Sequence, residues 1–206
     1  MNRKRVGILI FPNVEVLDFC GPYEVFSVTH LNEEKRREEP SPFELLLIAE
    51  KEDSVVATGG LRVLPDCTLV NCPSLDILVV PGGWGTRREI DNASLIDWIA
   101  ERGNQVETLT SVCTGAILLG RAGLLDGRRA TTHWRSLDWM RELFPRVTVE
   151  DQLHVVEDGH VLTSAGISAG IDMALRVVAR YFGEAVARNT ARYMEYAFPE
   201  DNARRV

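Results

Sequence analysis

The sequence predicts an α/β sandwich built around a mostly parallel sheet. Residues 6–11 form a short, continuous apolar run between a charged cluster and Pro12, which is typical of a strand buried on both faces. Similar runs recur along the chain, and helical stretches lie between several of them. Because strands that alternate with helices form βαβ units, we expect most of the strands to run parallel.

The same patterns predict the individual elements in chain order. The apolar runs predict strands over residues 6–11, 43–49, 75–80, 106–112 and 130–132. Apolar residues at helical spacing predict a helix over residues 94–102, which Gly103 would end. Short strands are expected at 147–149, 153–157 and 160–163, the last two joined by an Asp-Gly turn, followed by helices at 171–182 and 184–196. No repeat or linker interrupts these elements, so we expect a single domain over residues 1–206.

The charge balance and the apolar patterning argue against some classes of partner. The chain has 30 acidic and 23 basic side chains, a net charge of -7, and no basic run longer than residues 35–37. Nucleic acid is therefore not an expected partner. No apolar stretch approaches the roughly 20 residues of a membrane span, and the run after the basic N-terminus is too short for a signal peptide. We expect no membrane association and a cytoplasmic location.

The cysteines and histidines are scattered. Cys20, Cys67, Cys72 and Cys113 lack the spacing of a zinc site or a disulfide framework, so reduced thiols are expected. The histidines show no metal-ligand spacing either. No metal or organic cofactor is predicted.

Cys113 stands where the strand predicted over residues 106–112 gives way to a helix. A sharp turn there would project the sulfur from the carboxyl edge of the sheet, where ligands bind in open α/β folds. The amide groups at the start of the helix would favour the thiolate over the thiol. The pattern therefore predicts a reactive cysteine, and the alternative is a small, buried apolar side chain.

A glycine-rich turn at residues 81–85 (PGGWG) follows another predicted strand. Glycines let main-chain N–H groups face a ligand with no Cβ in the way, as an anion-binding site requires. We expect the N–H groups of Gly83 and Thr114 to form such a site beside Cys113. The alternative is a tight corner with no ligand.

Asp18 and His133 are the remaining candidate functional residues. Asp18 lies in an apolar segment, where partial desolvation would raise the pKa of its carboxyl and suit it to proton transfer. A helix cap is an equally good interpretation of Asp18. His133 follows the strand predicted at 130–132 and could act as a base or orient Cys113, but a lone histidine at a strand end is more often structural.

Together these segments resemble the ThiJ/PfpI superfamily, whose fold is that of the class I glutamine amidotransferases. The resemblance rests on six ordered motifs: residues 16–26 (VLDFCGPYEVF), 79–83 (VVPGG), 111–116 (SVCTGA), 122–127 (AGLLDG), 130–134 (ATTHW) and 163–172 (TSAGISAGID). It implies a flavodoxin-like three-layer sandwich with a mostly parallel central sheet and a nucleophile elbow. It also implies a homodimer.

The resemblance further implies roles for the candidate residues. Cys113 is then the nucleophile and Asp18 the acid beside its sulfur. Gly83 and Thr114 would supply the anion-hole amides, and His133 would lie near the pocket. Within the superfamily the motifs are most similar to the isonitrile hydratases. This implies a hydro-lyase that adds water to a small-molecule isocyanide through a cysteine thioimidate, giving an N-substituted formamide.

At two positions this chain differs from other branches of the superfamily, and these differences narrow the activity that we expect. Thr114 stands where the peptidase-like branch has a histidine, and Asp18 where the redox-protective and glyoxalase-type branch has a glutamate. The motifs are also similar to the amino-terminal domains of AraC-type regulators, but a DNA-binding domain would need roughly a hundred further residues. We therefore expect no direct DNA binding. The alternatives are a glyoxalase or aldehyde hydratase on the same cysteine, a cysteine redox sensor, and a ligand-binding domain.

Overall fold

A computed structural model describes residues 3–205 of the chain. Its strands are β1 (Lys4–Leu9), β2 (Phe43–Ala49), β3 (Val55–Val56), β4 (Arg62–Val63), β5 (Cys67–Thr68), β6 (Ile77–Val80), β7 (Thr108–Val112), β8 (Arg129–Ala130), β9 (Thr148–Val149), β10 (Val155–Asp158) and β11 (Val161–Ser164). Its α-helices are α1 (Val16–Val28), α2 (Thr86–Glu89), α3 (Ala93–Gly103), α4 (Gly115–Arg121), α5 (Leu137–Leu143), α6 (Ala169–Phe182) and α7 (Glu184–Tyr193).

The central sheet has seven strands in the order β10-β11-β7-β6-β1-β2-β5. Every pairing in it is parallel except that of β10 with β11 at one edge. The two strands at its middle, β6 and β7, are buried along their whole length, as their uninterrupted apolar or small side chains predict. The carboxyl ends of β1, β6, β7 and β11 therefore meet at one edge of the sheet, where a site can form.

The helices cover the sheet in two groups, which confirms the predicted three-layer α/β fold. Helices α1, α6 and α7 pack against one another, and α4 packs against α2 and α3. Helix α6 presents a continuous buried stripe that includes Met173, Val177 and Val178. No helix in the described part of the chain is both long and apolar enough to cross a membrane.

Some local predictions were wrong. The run at residues 130–132 does not join the central sheet, because β8 pairs with β9 in a separate two-stranded sheet. The hydroxyl of Thr132 instead donates to the carbonyl of Cys113 at 2.8 Å, so this segment supports the site and not the sheet. The short strands β3, β4 and β5 and the short helices α2 and α5 were not predicted, since two-residue strands and helices of four and seven residues leave little periodic signal. Helix α1 was anticipated only through the capping interpretation of Asp18.

Candidate active site

Cys113 occupies a strained turn between β7 and α4. Its φ of +56° lies in the left-handed region that residues with a Cβ rarely adopt. The backbone holds it there, because the Cys113 N–H lies 3.2 Å from the Ser164 carbonyl oxygen and 3.1 Å from that of Ala165. Gly115 allows α4 to start at once, since a Cβ at this position would lie 2.0 Å from the carbonyl oxygen of Val80. The strain and close packing aim the cysteine at the carboxyl edge of the sheet.

Asp18 lies directly beside this cysteine and is completely buried. Glu15, not Asp18, occupies the N-cap position of α1, so the capping interpretation was wrong. The Asp18 Oδ2 atom accepts a hydrogen bond from the Gly82 N–H at 2.9 Å. Its Oδ1 atom is buried and has no hydrogen-bond partner among the described residues. An unpaired oxygen of a buried carboxyl is well suited to carry a proton.

The protonation of Asp18 and Cys113 is coupled. Burial is the largest effect on Asp18 and raises its pKa to about 8, against smaller lowering effects of the Gly82 N–H and Cys113. Burial and then the charge of Asp18 raise the pKa of the Cys113 thiol, whereas the backbone and side chain of Thr114 lower it. The amide at the start of α4 thus favours the thiolate, as expected, but burial has the larger effect and leaves the thiol as the favoured form. When Asp18 holds a proton, its repulsion of the thiolate disappears.

The glycine-rich turn approaches Cys113 but is organised differently from the prediction. The Gly83 N–H donates to Thr114 Oγ1 at 3.0 Å and is therefore not free to bind an anion. Thr114 Oγ1 also lies 2.9 Å from the buried Thr86 hydroxyl. A Cβ at Gly82 would lie 2.5 Å from the Thr114 nitrogen, so only glycine permits this approach. Of the two predicted anion-hole amides, the Thr114 N–H is the one that faces the sulfur.

This hydroxyl network gives a prediction about stability. Replacing Thr114 by valine keeps the shape but leaves the Gly83 N–H and the buried Thr86 hydroxyl without their partner. We expect a loss of about 1–3 kcal/mol in the free energy of unfolding, because buried donors without acceptors are costly. Urea denaturation measures it. Thr114→Ser keeps the hydroxyl and is the matched control, and equal stability of the two variants would contradict the prediction.

His133 shares a cavity of about 330 Å³ with Cys113, Thr114 and Gly83. Its Nδ1 accepts a hydrogen bond from the Arg135 N–H at 3.2 Å, so the neutral ring carries its proton on Nε2. Burial, followed by the charges of Arg135, Arg204 and Arg87, lowers the pKa of His133. The described bond of His133 goes to Arg135 and not to Cys113. His133 thus lines the cavity without a hydrogen bond that would orient the cysteine.

Several supporting residues could not be found in the sequence. Arg204 donates to the Thr131 hydroxyl and to the Thr132 carbonyl, the latter at 3.2 and 3.3 Å, directly behind His133. A Cβ at Gly166 would lie 2.1 Å from the His133 ring, so glycine is needed there for the ring to fit. Both residues are far from His133 along the chain, and neither has a local pattern that points to it.

The other cysteines lie outside this site. All four cysteines are free thiols, but burial and the neighbouring Cys72 raise the pKa of Cys67 to about 12. These two thiols are therefore close together in the fold, which their spacing did not predict. Among residues 3–205, no group of three or more His, Cys, Asp or Glu side chains is arranged to hold a metal ion.

A mostly parallel sheet between helices, a cysteine at a strained strand-to-helix turn and a buried acid at its side occur together here. They place this protein among the α/β proteins that carry a cysteine at such an elbow. Comparison with known proteins specifies the family. The chain belongs to the DJ-1/PfpI family, whose sequence profile matches residues 4–180. This confirms the resemblance stated from the six motifs.

The relatives within the family have different roles. The chain is 36% identical over 193 residues to isonitrile hydratase from Pseudomonas putida, a match that covers 94% of this chain and 78% of that protein. It is 31% identical to the HTH-type transcriptional regulator CdhR from Pseudomonas aeruginosa, where the match covers 87% of this chain but only 51% of the regulator. The crystal structure of a ThiJ/PfpI family protein from Pseudomonas syringae matches with a TM-score of 0.84 at 30% identity, covering 98% of this chain and 79% of that one.

Proposed function

We propose that this protein is an isonitrile hydratase, which converts an isocyanide and water into an N-substituted formamide. The observation that carries the proposal is the buried, mostly protonated Asp18 beside Cys113. An isocyanide carbon becomes electrophilic when it receives a proton, and this pair offers a proton donor and a soft sulfur nucleophile at the same place. The 36% identity to an isonitrile hydratase supports the same reaction.

In the reactive form of the pair Asp18 keeps its proton and Cys113 has lost its own to solvent; this form is less populated than the neutral pair, because burial also favours the thiol. The Thr114 backbone and side chain stabilise that thiolate. The proton of Asp18 passes to the isocyanide carbon while the sulfur forms a C–S bond to it, which gives a thioformimidate and an Asp18 carboxylate. No metal or organic cofactor is needed for this step.

Water completes the reaction. The Asp18 carboxylate removes a proton from water as the oxygen adds to the thioformimidate carbon. Asp18 passes this first water proton to the nitrogen. It then takes the second proton from the new hydroxyl as the C=O bond forms and the C–S bond breaks, which releases Cys113 as a thiolate. The formamide leaves, and the pair regains its starting form. The neutral His133, with its proton on Nε2, can donate a hydrogen bond to the substrate nitrogen or to the attacking water.

The proposal predicts turnover of simple isocyanides. Purified protein incubated with n-butyl isocyanide should release N-butylformamide, observed by its formyl proton in NMR spectra. In D₂O the formyl position should carry deuterium, because the carbon-bound hydrogen comes from the exchangeable proton of Asp18. Cys20→Ala, which removes a half-buried thiol of α1, is the control and should retain full activity. Absence of formamide, with Cys113 still open to alkylation, would contradict the hydratase function.

A second candidate is a ligand-binding protein that uses the same cavity without turnover. The similarity to about half of a transcriptional regulator, over 87% of this chain, favours it. In that case the protein would bind small ligands in the cavity without converting them. Cys113→Ala would leave the affinity for these ligands unchanged.

We also propose that the protein forms a homodimer. Leu61, Leu64 and Val70 are exposed by 45%, 71% and 94%, and an interface that covered them would remove apolar surface from water. Sedimentation velocity would measure the mass in solution.

A further inference from the structure

Two arginines stand at the rim of the cavity that holds Cys113. Arg87 belongs to α2, and Arg135 belongs to the single 3₁₀ turn Trp134–Ser136. Both line the cavity of about 330 Å³ together with the cysteine. Among residues 3–205, neither guanidinium pairs with a carboxylate, whereas most of the other arginines do. The rim thus presents two cations whose acceptors are missing from the described chain.

Aromatic rings hold both guanidinium groups in place. The Arg87 guanidinium lies 3.9 Å from the centroid of the Trp84 ring and 5.5 Å from that of Trp139. The Arg135 guanidinium lies 4.8 Å from the centroid of the Trp134 ring. Stacking over a ring limits the rotation of a guanidinium and leaves its N–H edge open to a planar acceptor. The arginines are therefore pre-organised for a ligand.

The charge of the cavity is opposite to that of the whole protein. The chain has a net charge of -7, but the cavity lining contains Arg87 and Arg135 against the single carboxylate of Glu15. Asp18, below the lining, holds a proton at neutral pH because its pKa is about 8. Burial and then the charges of Arg135, Arg204 and Arg87 lower the pKa of His133, which agrees with a positive field in the cavity that these arginines line or flank. An anionic group at the rim would be stabilised by this field.

We propose that the preferred substrates of this site are isocyanides whose N-substituent carries a carboxylate, bound by Arg87 and Arg135. This inference rests on the hydratase function proposed above. The isocyanide carbon must reach Cys113, so a carboxylate at the other end of the molecule meets the arginines at the rim. A carboxylate fits better than a spherical anion, because its two oxygens match the paired N–H groups of arginine. The products are then N-formylamino acids.

A matched pair of substrates tests the inference. 4-Isocyanobutanoate and 4-methylpentyl isocyanide have the same chain length, and a neutral isopropyl group replaces the carboxylate in the second. We expect kcat/KM to be at least about tenfold higher for the carboxylate, because hydrogen bonds to a charged group are strong. Arg87→Gln and Arg135→Gln should each lower kcat/KM about tenfold for 4-isocyanobutanoate and less than about twofold for the neutral substrate. Raising the salt concentration should reduce the preference.

The controls separate this inference from the function on which it rests. Arg121→Gln removes an exposed arginine at the end of α4, outside this cavity, and should change neither rate. If both isocyanides react equally well, or if the two arginine variants slow both equally, the carboxylate inference fails and the hydratase function stands. If neither isocyanide is hydrated, both proposals fail together.

Discussion

Replacing Cys113 by alanine is expected to abolish isocyanide hydration, lowering kcat by at least about a thousandfold. The reason is that the proposed reaction proceeds through a C–S bond, and no other described thiol lines the cavity. The fold should persist, because alanine also has a Cβ and bears the same strain at φ +56°. Formamide release measured by NMR, alongside circular dichroism and thermal unfolding, checks both parts of this expectation.

Two further variants make the Cys113 result specific. Cys72→Ala removes a buried thiol outside the cavity and should leave the rate of hydration unchanged. Cys113→Ser keeps a nucleophilic side chain of similar size but should recover little activity, since a hydroxyl is far less readily ionised than a thiol. Substantial turnover by Cys113→Ala would contradict a covalent route and leave Asp18 as the only chemical group required.

Asp18→Asn is expected to lower kcat about 100- to 10,000-fold while leaving the Cys113 sulfur reactive. Asparagine can still accept the Gly82 N–H bond and can donate to the sulfur through its amide, but it has no proton to give to the isocyanide carbon. Like the protonated carboxyl that Asp18 mostly carries at pH 7, the amide is neutral and does not repel the Cys113 thiolate. Iodoacetamide should therefore alkylate the variant at least as fast as the wild type at pH 7.

The comparison of hydration and alkylation shows which role Asp18 has. If Asp18 merely supported the local structure, replacing it would slow both the hydration of the isocyanide and the alkylation of Cys113. If Asp18 supplies the proton, replacing it slows only the hydration. If Asp18→Asn retains wild-type turnover, the proton comes from elsewhere, and His133 becomes the group to test.

Asp18 should also make stability depend on pH. Burial raises its pKa from an ordinary value of 3.8 to about 8, so between these values the folded state binds more protons than the unfolded state. The free energy of unfolding should therefore fall as the pH rises from about 4 to 8, by an amount of the order of 5 kcal/mol. Asp18→Asn should remove most of this fall. Urea denaturation at pH 5, 6.5 and 8 measures it, and an equal pH dependence in both proteins would contradict it.

The sequence alone determined the architecture and the place of the site. Apolar runs such as residues 6–11 and 77–80 predict buried strands from local sequence alone, because a strand covered on both faces needs apolar side chains on both. Parallel strands then bring their carboxyl ends to one edge, which is why Cys113 and Gly83 could be expected near one another. His133 reaches the same place by another route, because the strand before it lies outside the central sheet. The six motifs specified the family that the comparisons confirmed.

Only the tertiary structure decided which hydrogen bonds these groups make and how deeply they are buried. It assigned the Gly83 N–H to the Thr114 hydroxyl, brought Arg204 behind Thr132, and buried Asp18 completely, where the sequence predicted only partial desolvation. Hydrogen-bond partners and pKa values depend on distances and burial set by elements far apart in the chain, and no local pattern contains them. For the same physical reason, only the folded chain shows that Arg87 and Arg135 face one cavity with Cys113.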